Sequence, residues 1–231
     1  MSLKESHGNM YDWVSHMHSH LAGECQHKCS YCYVGRSRQG RPEKYSGPPR
    51  LLEKELAVNY GRDKIIFIEH MNDLFASGIE SNWISRILWH CQDYPANQYI
   101  FQTKNPKRAK GFLSLFPKDF LFGTTIETNR ELLNLTKAPS TTERYLEAEI
   151  LKKLYRFKIF VTIEPIMDFD LDILGKWLEA LNPEFINIGA DSKNSSLIEP
   201  PKWKIEALIN RIGDIKIPIK IKLNLGRLGI R

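Results

Sequence analysis

Six apolar runs recur along the chain, at Lys64–Ile68, Gln98–Thr103, Phe120–Ile126, Lys158–Ile163, Glu184–Ile188 and Ile215–Leu223. Several are continuous rather than alternating, as strands buried on both faces of a parallel sheet are. Helix-period segments separate them. Ile84, Ile87, Leu88 and Cys91 repeat at helical spacing, as do Leu174, Trp177, Leu178 and Leu181. Ser140 and Glu143 form a capping box that opens a helix through Leu146, Ile150, Leu151 and Leu154. Pro106 and Pro201 sit where first helical turns tolerate proline. With a strand near Asp12–His20 and a helix near Leu51–Tyr60, the order is a β/α series. Such a series folds as a doubly wound sheet or an α/β barrel. Six or seven strands fall short of the eight that close a barrel, so an open partial barrel of (β/α)6 type is expected. Pro218 suits an edge strand. No repeat or composition shift divides residues 1–231, which read as a single domain.

Three of the four cysteines, Cys25, Cys29 and Cys32, fall in Gly23-Glu24-Cys25-Gln26-His27-Lys28-Cys29-Ser30-Tyr31-Cys32-Tyr33. The spacing C-x3-C-x2-C lets a tight loop aim three thiolates at one centre, and iron–sulfur clusters select thiolate ligands. A cluster that only transfers electrons takes four cysteines. Three leave one iron open to a substrate, which is the ligand count of a catalytic centre. A disulfide is poorly served by an odd number of crowded thiols. Structural zinc, with His20 or His27 as a fourth ligand, is the rival reading. Cys91 lies on a helix stripe and reads as a small buried hydrophobe.

Polar residues directly after the strands are site candidates, because parallel α/β folds place their sites at the carboxyl ends of the strands. Five strand ends carry acids, amides or lysines. They are Glu69-His70-Met71-Asn72-Asp73, Thr103-Lys104-Asn105-Pro106, Thr124-Thr125-Ile126-Glu127-Thr128-Asn129, Thr162-Ile163-Glu164-Pro165 and Gly189-Ala190-Asp191-Ser192. Together with the cysteine loop, these words resemble the radical S-adenosylmethionine (radical SAM) superfamily. In particular they resemble a phage-associated family of unknown function, with a cysteine loop similar to that of spore photoproduct lyase-like proteins.

The resemblance implies an open partial barrel of the radical SAM kind. It implies that Cys25, Cys29 and Cys32 ligate a 4Fe–4S cluster whose open iron chelates SAM, and that a flavodoxin or ferredoxin supplies the electron. Tyr31 would offer backbone contacts to adenine, Asn72 and Asp73 would hold the methionyl ammonium, and Glu127 and Asn129 the ribose. Gly189 would let its strand approach the adenine closely. Glu164, Lys104 and Asp191 remain as candidates for orienting substrate, with an ion pair among the three the bland expectation. The expected activity is hydrogen abstraction by a 5′-deoxyadenosyl radical from an unidentified substrate, with a nucleotide or nucleic acid favoured over a peptide.

The formal charge of +6 is weak support for a phosphate-bearing substrate. Basic residues gather at Arg36, Arg38, Arg41, Lys44 and Arg50, at Lys104, Lys107, Arg108 and Lys110, and at Lys216, Lys220, Lys222, Arg227 and Arg231. The rival function is a zinc-stabilised nucleic-acid-binding module without catalysis. The polar start of the chain lacks the apolar core of a signal peptide and no stretch is long enough to span a membrane, so a cytoplasmic protein is expected. His16, His18 and His20 alternate and would share one face of a strand. They are read as lining the polar barrel interior, with metal binding as the second choice.

Overall fold

The computed structural model describes residues 3–7, 10–35, 43–131, 134–193 and 195–230. Its main sheet is built from β1 (Lys4–Glu5), β2 (His16–His18), β5 (Ile65–Ile68), β6 (Gln98–Thr103), β7 (Phe120–Thr125), β8 (Ile159–Ile163), β9 (Ile186–Ile188) and β10 (Ile219–Ile221). A separate antiparallel pair joins β3 (Leu21–Ala22) to β4 (Arg50–Leu51). The sheet runs β1-β2-β5-β6-β7-β8-β9-β10, with every pair parallel except the β1 edge. The terminal strands β1 and β10 do not pair with each other, so the barrel stays open, as expected. The strand at Pro218 is the edge strand β10.

Four α-helices cover the outer face: α1 (Ser81–Gln92), α2 (Thr141–Tyr155), α3 (Leu171–Leu181) and α4 (Lys202–Asp214). Ser140 caps α2, its hydroxyl accepting from the Glu143 amide at 3.1 Å. Ile84, Ile87, Leu88 and Cys91 of α1 are fully buried, as are Leu174 and Leu178 of α3, in the core between helices and sheet. None of the helices is long and apolar enough to cross a membrane.

The two faces of the sheet differ because successive side chains alternate. Outward-facing Ile66, Tyr99, Phe101, Phe122, Ile159 and Val161 enter the helix core. Inward-facing Phe67, Ile100 and Phe160 pack with Tyr11 and Val14 in a second cluster that fills the lower barrel. Phe160 and Phe185 stack and Trp13 meets both edge-on to form a floor, with ring centroids 5.1–5.8 Å apart. Gly123 makes this floor feasible: a Cβ there would stand 2.2 Å from the Phe160 ring.

Two local expectations change. The strand near Asp12–His20 is only His16–His18, because a turn closed by the Val14 amide on the Tyr11 carbonyl swings Tyr11 and Trp13 under the barrel. The helix near Leu51–Tyr60 is a single 3-10 segment, Glu53–Ala57. Its start is held extended by the β3–β4 pair, and Val58 and Tyr60 must enter the core beyond it, which leaves too few residues for an α-helix.

Candidate functional site

The inner face turns polar toward the carboxyl ends of the strands. Gln102, Thr125, Thr162 and Asn187 follow Ile100, Gly123, Phe160 and Phe185 on the same inward parity. Above them opens a cavity of ≈ 560 Å³. Cys29, Tyr31 and Cys32 of the cysteine loop line it, as do Lys104, Glu164 and Asp191. Cys25, Asn72, Asp73, Glu127, Asn129 and Gly189 are not among its lining residues.

The loop is tied down from both sides. Cys29 Sγ lies 3.2 Å from Thr136 Oγ1, and the Ser30 amide donates to the Leu135 carbonyl at 2.8 Å. His27 Nε2 is 2.7 Å from Asp73 Oδ2. Asp73 is a buried hub that also accepts from the Thr103 hydroxyl and the Lys104 and Phe75 amides. Burial would raise its carboxyl pKa, but His27 and these donors hold it below the ordinary value. Burial, and then the Asp73 charge, push the Cys25 thiol up to about 12. A metal bound there must therefore displace a proton.

Glu127 is fully buried with both oxygens engaged. Tyr31 Oη donates to Oε1 at 2.7 Å, where Lys104 Nζ also binds, and Arg144 Nη1 donates to Oε2 at 2.7 Å. Burial alone would raise the Glu127 pKa, but Lys104 and Arg144 bring it down to about 2. Lys104 also lies over the Tyr31 ring, 5.3 Å from its centroid. This clamp fixes Tyr31 between Cys29 and Cys32.

Asn72 Nδ2 donates to the Gly23 carbonyl at 3.0 Å, beside the cysteine loop. Its Oδ1 is buried without a hydrogen-bond partner among the described residues. An orphan acceptor next to the start of the cysteine loop suits a ligand that brings an N–H donor. Asn129 instead serves the start of α3, its Oδ1 accepting from the Asp170 amide at 2.7 Å.

Glu164 accepts from Lys222 Nζ at 2.8 Å and from Asn224 Nδ2 at 2.9 Å. Gly189 leaves room for this carboxylate, since a Cβ there would lie 2.8 Å from Glu164 Oε1. Asp191 accepts from the Lys193 amide at 3.0 Å and the Ser195 hydroxyl at 3.2 Å, as a turn-capping residue does. Among the described residues no ion pair joins Glu164, Lys104 and Asp191. They follow β6, β8 and β9, and each is engaged elsewhere: Lys104 with Glu127, Glu164 with Lys222 and Asn224, and Asp191 with its own turn.

Tyr11, Gln102 and Asn224 are not singled out by the sequence, and Thr162 and Lys222 enter there only within a strand-end run and a basic group. Tyr11 Oη lies 2.7 Å from Gln102 Oε1 and 2.8 Å from Thr162 Oγ1, under the ring contact of Lys222 at 5.0 Å. The signal for two of them was present: Gln102 and Thr162 are polar interruptions on the inward parity of otherwise apolar strands.

His18 and His20 do not line the barrel interior. Met17 lines the cavity, so His16 and His18 face the other way, and His20 is buried against Tyr60 and His90. Of the basic groups, Arg36, Arg38, Arg41 and Arg231 lie outside the described residues. Lys110, Arg227 and Arg108 are committed to Glu147, Glu199 and the Ala76 and Ile79 carbonyls.

Solved structures share this fold at low sequence identity. A cysteine-to-serine mutant of spore photoproduct lyase superposes with a TM-score of 0.65 at 12% identity, covering 93% of this chain and 78% of that one. A double mutant of the lyase, with bound AdoMet and dinucleoside spore photoproduct, gives 0.57 at 14% identity over 91% of this chain and 64% of that one. Streptococcus suis SuiB, bound to its precursor peptide SuiA, gives 0.59 at 11% identity over 89% of this chain and 48% of SuiB. The architecture is the open partial barrel of radical SAM enzymes. No curated protein matches the sequence. The profile of a family described as "Protein of unknown function (DUF5131)" matches residues 10–204, and the chain belongs to that family.

Proposed function

We propose that this protein is a radical SAM enzyme in which Cys25, Cys29 and Cys32 hold a 4Fe–4S cluster. The observation that carries the reading is the cysteine loop seated at the carboxyl-end mouth of an open parallel barrel, with Cys29 and Cys32 facing its cavity. The donor set fits. Three thiols share one short loop, near enough for Cys29 and Cys32 to act on Cys25, and neither candidate histidine is available as a fourth ligand among the described residues, because His27 is spent on Asp73 and His20 on Glu69. That geometry also disfavours the zinc module, which needs one of those histidines.

When bound, the cluster and SAM supply reductive cleavage to methionine and a 5′-deoxyadenosyl radical. Asn72, whose Oδ1 has no partner among the described residues, would hold the methionyl ammonium. The Glu127 clamp orients Tyr31 and with it the loop. The Trp13–Phe160–Phe185 floor excludes water from below. Glu164, held by Lys222 and Asn224, orients substrate at the rim. The electron comes from a flavodoxin- or ferredoxin-type donor.

A nucleotide or nucleic-acid substrate is the class favoured. Support comes from the fold shared with spore photoproduct lyase, structures of which hold dinucleoside spore photoproduct. Lys193 and Lys222 at the rim add cationic groups suited to phosphate. The fold shared with SuiB, bound to a peptide, supports a peptide substrate instead. Anaerobic reconstitution followed by dithionite reduction tests the core of the proposal. Cluster absorbance and release of 5′-deoxyadenosine from SAM are expected; stoichiometric zinc on the loop with no iron or sulfide would overturn it. Salt-dependent binding of an oligonucleotide by the reconstituted protein, without binding of peptides, is the expected result for substrate class.

A further inference from the structure

On the helix side of β2, opposite the cavity, three histidines from separate places in the chain converge. His18 and His20 come from the end of β2, and His90 from α1. One ring nitrogen of each lies within 4.8 Å of the others, the only such group of three metal-type side chains among the described residues. The remaining nitrogens have acceptors of their own. His18 Nε2 is 3.1 Å from Glu55 Oε2, His20 Nδ1 is 3.0 Å from Glu69 Oε1, and His90 Nε2 is 2.9 Å from the Val58 carbonyl. A carbonyl or an ionised carboxylate only accepts, so with Glu55 and Glu69 ionised each of these outer nitrogens carries the ring proton.

The inner nitrogens of the neutral rings are then all lone pairs. His20 Nε2 and His90 Nδ1 nevertheless stand 2.9 Å apart. Two lone pairs do not meet at that distance in a buried site unless a cation lies between them. Either an extra proton or a metal ion must supply it.

Three features favour the metal. Outer N–H groups donating to carboxylates or a carbonyl are the arrangement that orients metal-ligating histidines. Two buried carboxylates, Glu55 and Glu69, stand next to the rings and match a divalent charge. Tyr60 Oη lies 2.6 Å from His18 Nδ1 and 3.0 Å from His20 Nε2, so a fourth donor atom closes the group. Ligands of a tetrahedral zinc ion at about 2.0–2.1 Å are ~3.3 Å apart, so the contacts of 2.6–3.0 Å would widen and any of the ring nitrogens nearer the 4.8 Å limit would draw in.

We propose that His18, His20 and His90 form a three-histidine site for one divalent ion of the zinc class, separate from the cysteine loop, with Tyr60 Oη at the fourth corner. His18 and Glu55, each 8% exposed, are its edge toward solvent. The site is a brace. Glu69 also accepts from the His20 and Leu21 amides, at 2.6 and 3.2 Å, and it directly precedes His70 and Met71 of the cavity. An ion there locks β2, α1 and the β5 end in one arrangement.

The proposal stands apart from the radical SAM reading and is tested without activity. Wild-type protein and a Cys25→Ala, Cys29→Ala, Cys32→Ala combination are incubated with zinc or cobalt, desalted, and assayed by elemental analysis and visible spectroscopy. About one ion per chain is expected in both. The cobalt form should show ligand-field bands of a tetrahedral ion without sulfur-to-cobalt charge transfer. His90→Ala should retain no ion, and the shape-conserving Glu69→Gln should lose about 10–100-fold in affinity. Binding should also release a proton, the one that otherwise lies between His20 and His90. Failure of the protein lacking the three loop cysteines to retain zinc or cobalt would overturn the proposal, as would retention unchanged by His90→Ala.

Discussion

At Glu164 the side chain's two oxygens are divided between a cation, Lys222, and an amide, Asn224. Glu164→Gln keeps shape but removes the charge that pairs with Lys222. Cluster assembly and uncoupled SAM cleavage should persist, while turnover of the true substrate falls by about tenfold or more, a loss of ~1.4 kcal/mol of positioning. A cluster-free Glu164→Gln protein would move the residue from substrate handling to scaffold. Glu127 is the opposite case, a carboxylate whose partners are all protein. Glu127→Gln leaves Arg144 and Lys104 without their counter-ion in a buried site and should destabilise by about 3 kcal/mol, read from the urea midpoint. The sign with pH follows from its depressed pKa. The stability this carboxylate contributes is complete above its ordinary value of 4.5 and lost as pH falls toward about 2. The wild type should weaken across that window more steeply than the glutamine variant.

Among the elements, β7 and β8 show how strand parity builds a site. Gly123 and Phe160 are cross-strand partners on the inner face, and the ring occupies the space a side chain would need. Gly123→Ala should cost about 1–3 kcal/mol by overpacking a fully buried position. Because Phe160 belongs to the floor beneath Tyr11 and Thr162, the same change should also displace the polar cluster above it. A melting temperature unchanged by Gly123→Ala would mean that the ring has room to move. Helix α2 links to the site differently. Its cap at Ser140 sets where the helix begins, and one turn later Arg144 reaches inward to Glu127.

For the whole molecule, the open sheet separates the loop cysteines from Cys91. The loop stands over the barrel mouth, whereas Cys91 is fully buried on α1 with its thiol pKa pushed well up by burial. Replacing any one of Cys25, Cys29 or Cys32 with Ala should remove iron and SAM cleavage together. Cys91→Ala should leave both intact and cost stability only on the scale of a small core cavity, about 1 kcal/mol. Iron analysis of the four variants checks this, and a Cys91→Ala protein lacking iron would contradict a three-cysteine site.

The sequence by itself determined the β/α order, the strand cores, the α2 cap and the cysteine loop, because these depend on local periodicity and on spacing within a few residues. The polar strand ends were legible for the same reason, since parallel strands deliver them to one end. Tertiary structure alone decided which of them meet. Glu164 finds Lys222 and Asn224 rather than Lys104 or Asp191, because β10 and the turn after it close over β8 and β9. Asp73 and Glu127 became internal hubs once Thr103 and Lys104, Tyr31, and Arg144 arrived from three segments. The histidines at β2 face the helices, because only the pairing of Met17 with Phe67 set which side of that short strand looks into the barrel. Strand facing and partner choice depend on contacts between residues distant in the chain, which no local pattern encodes.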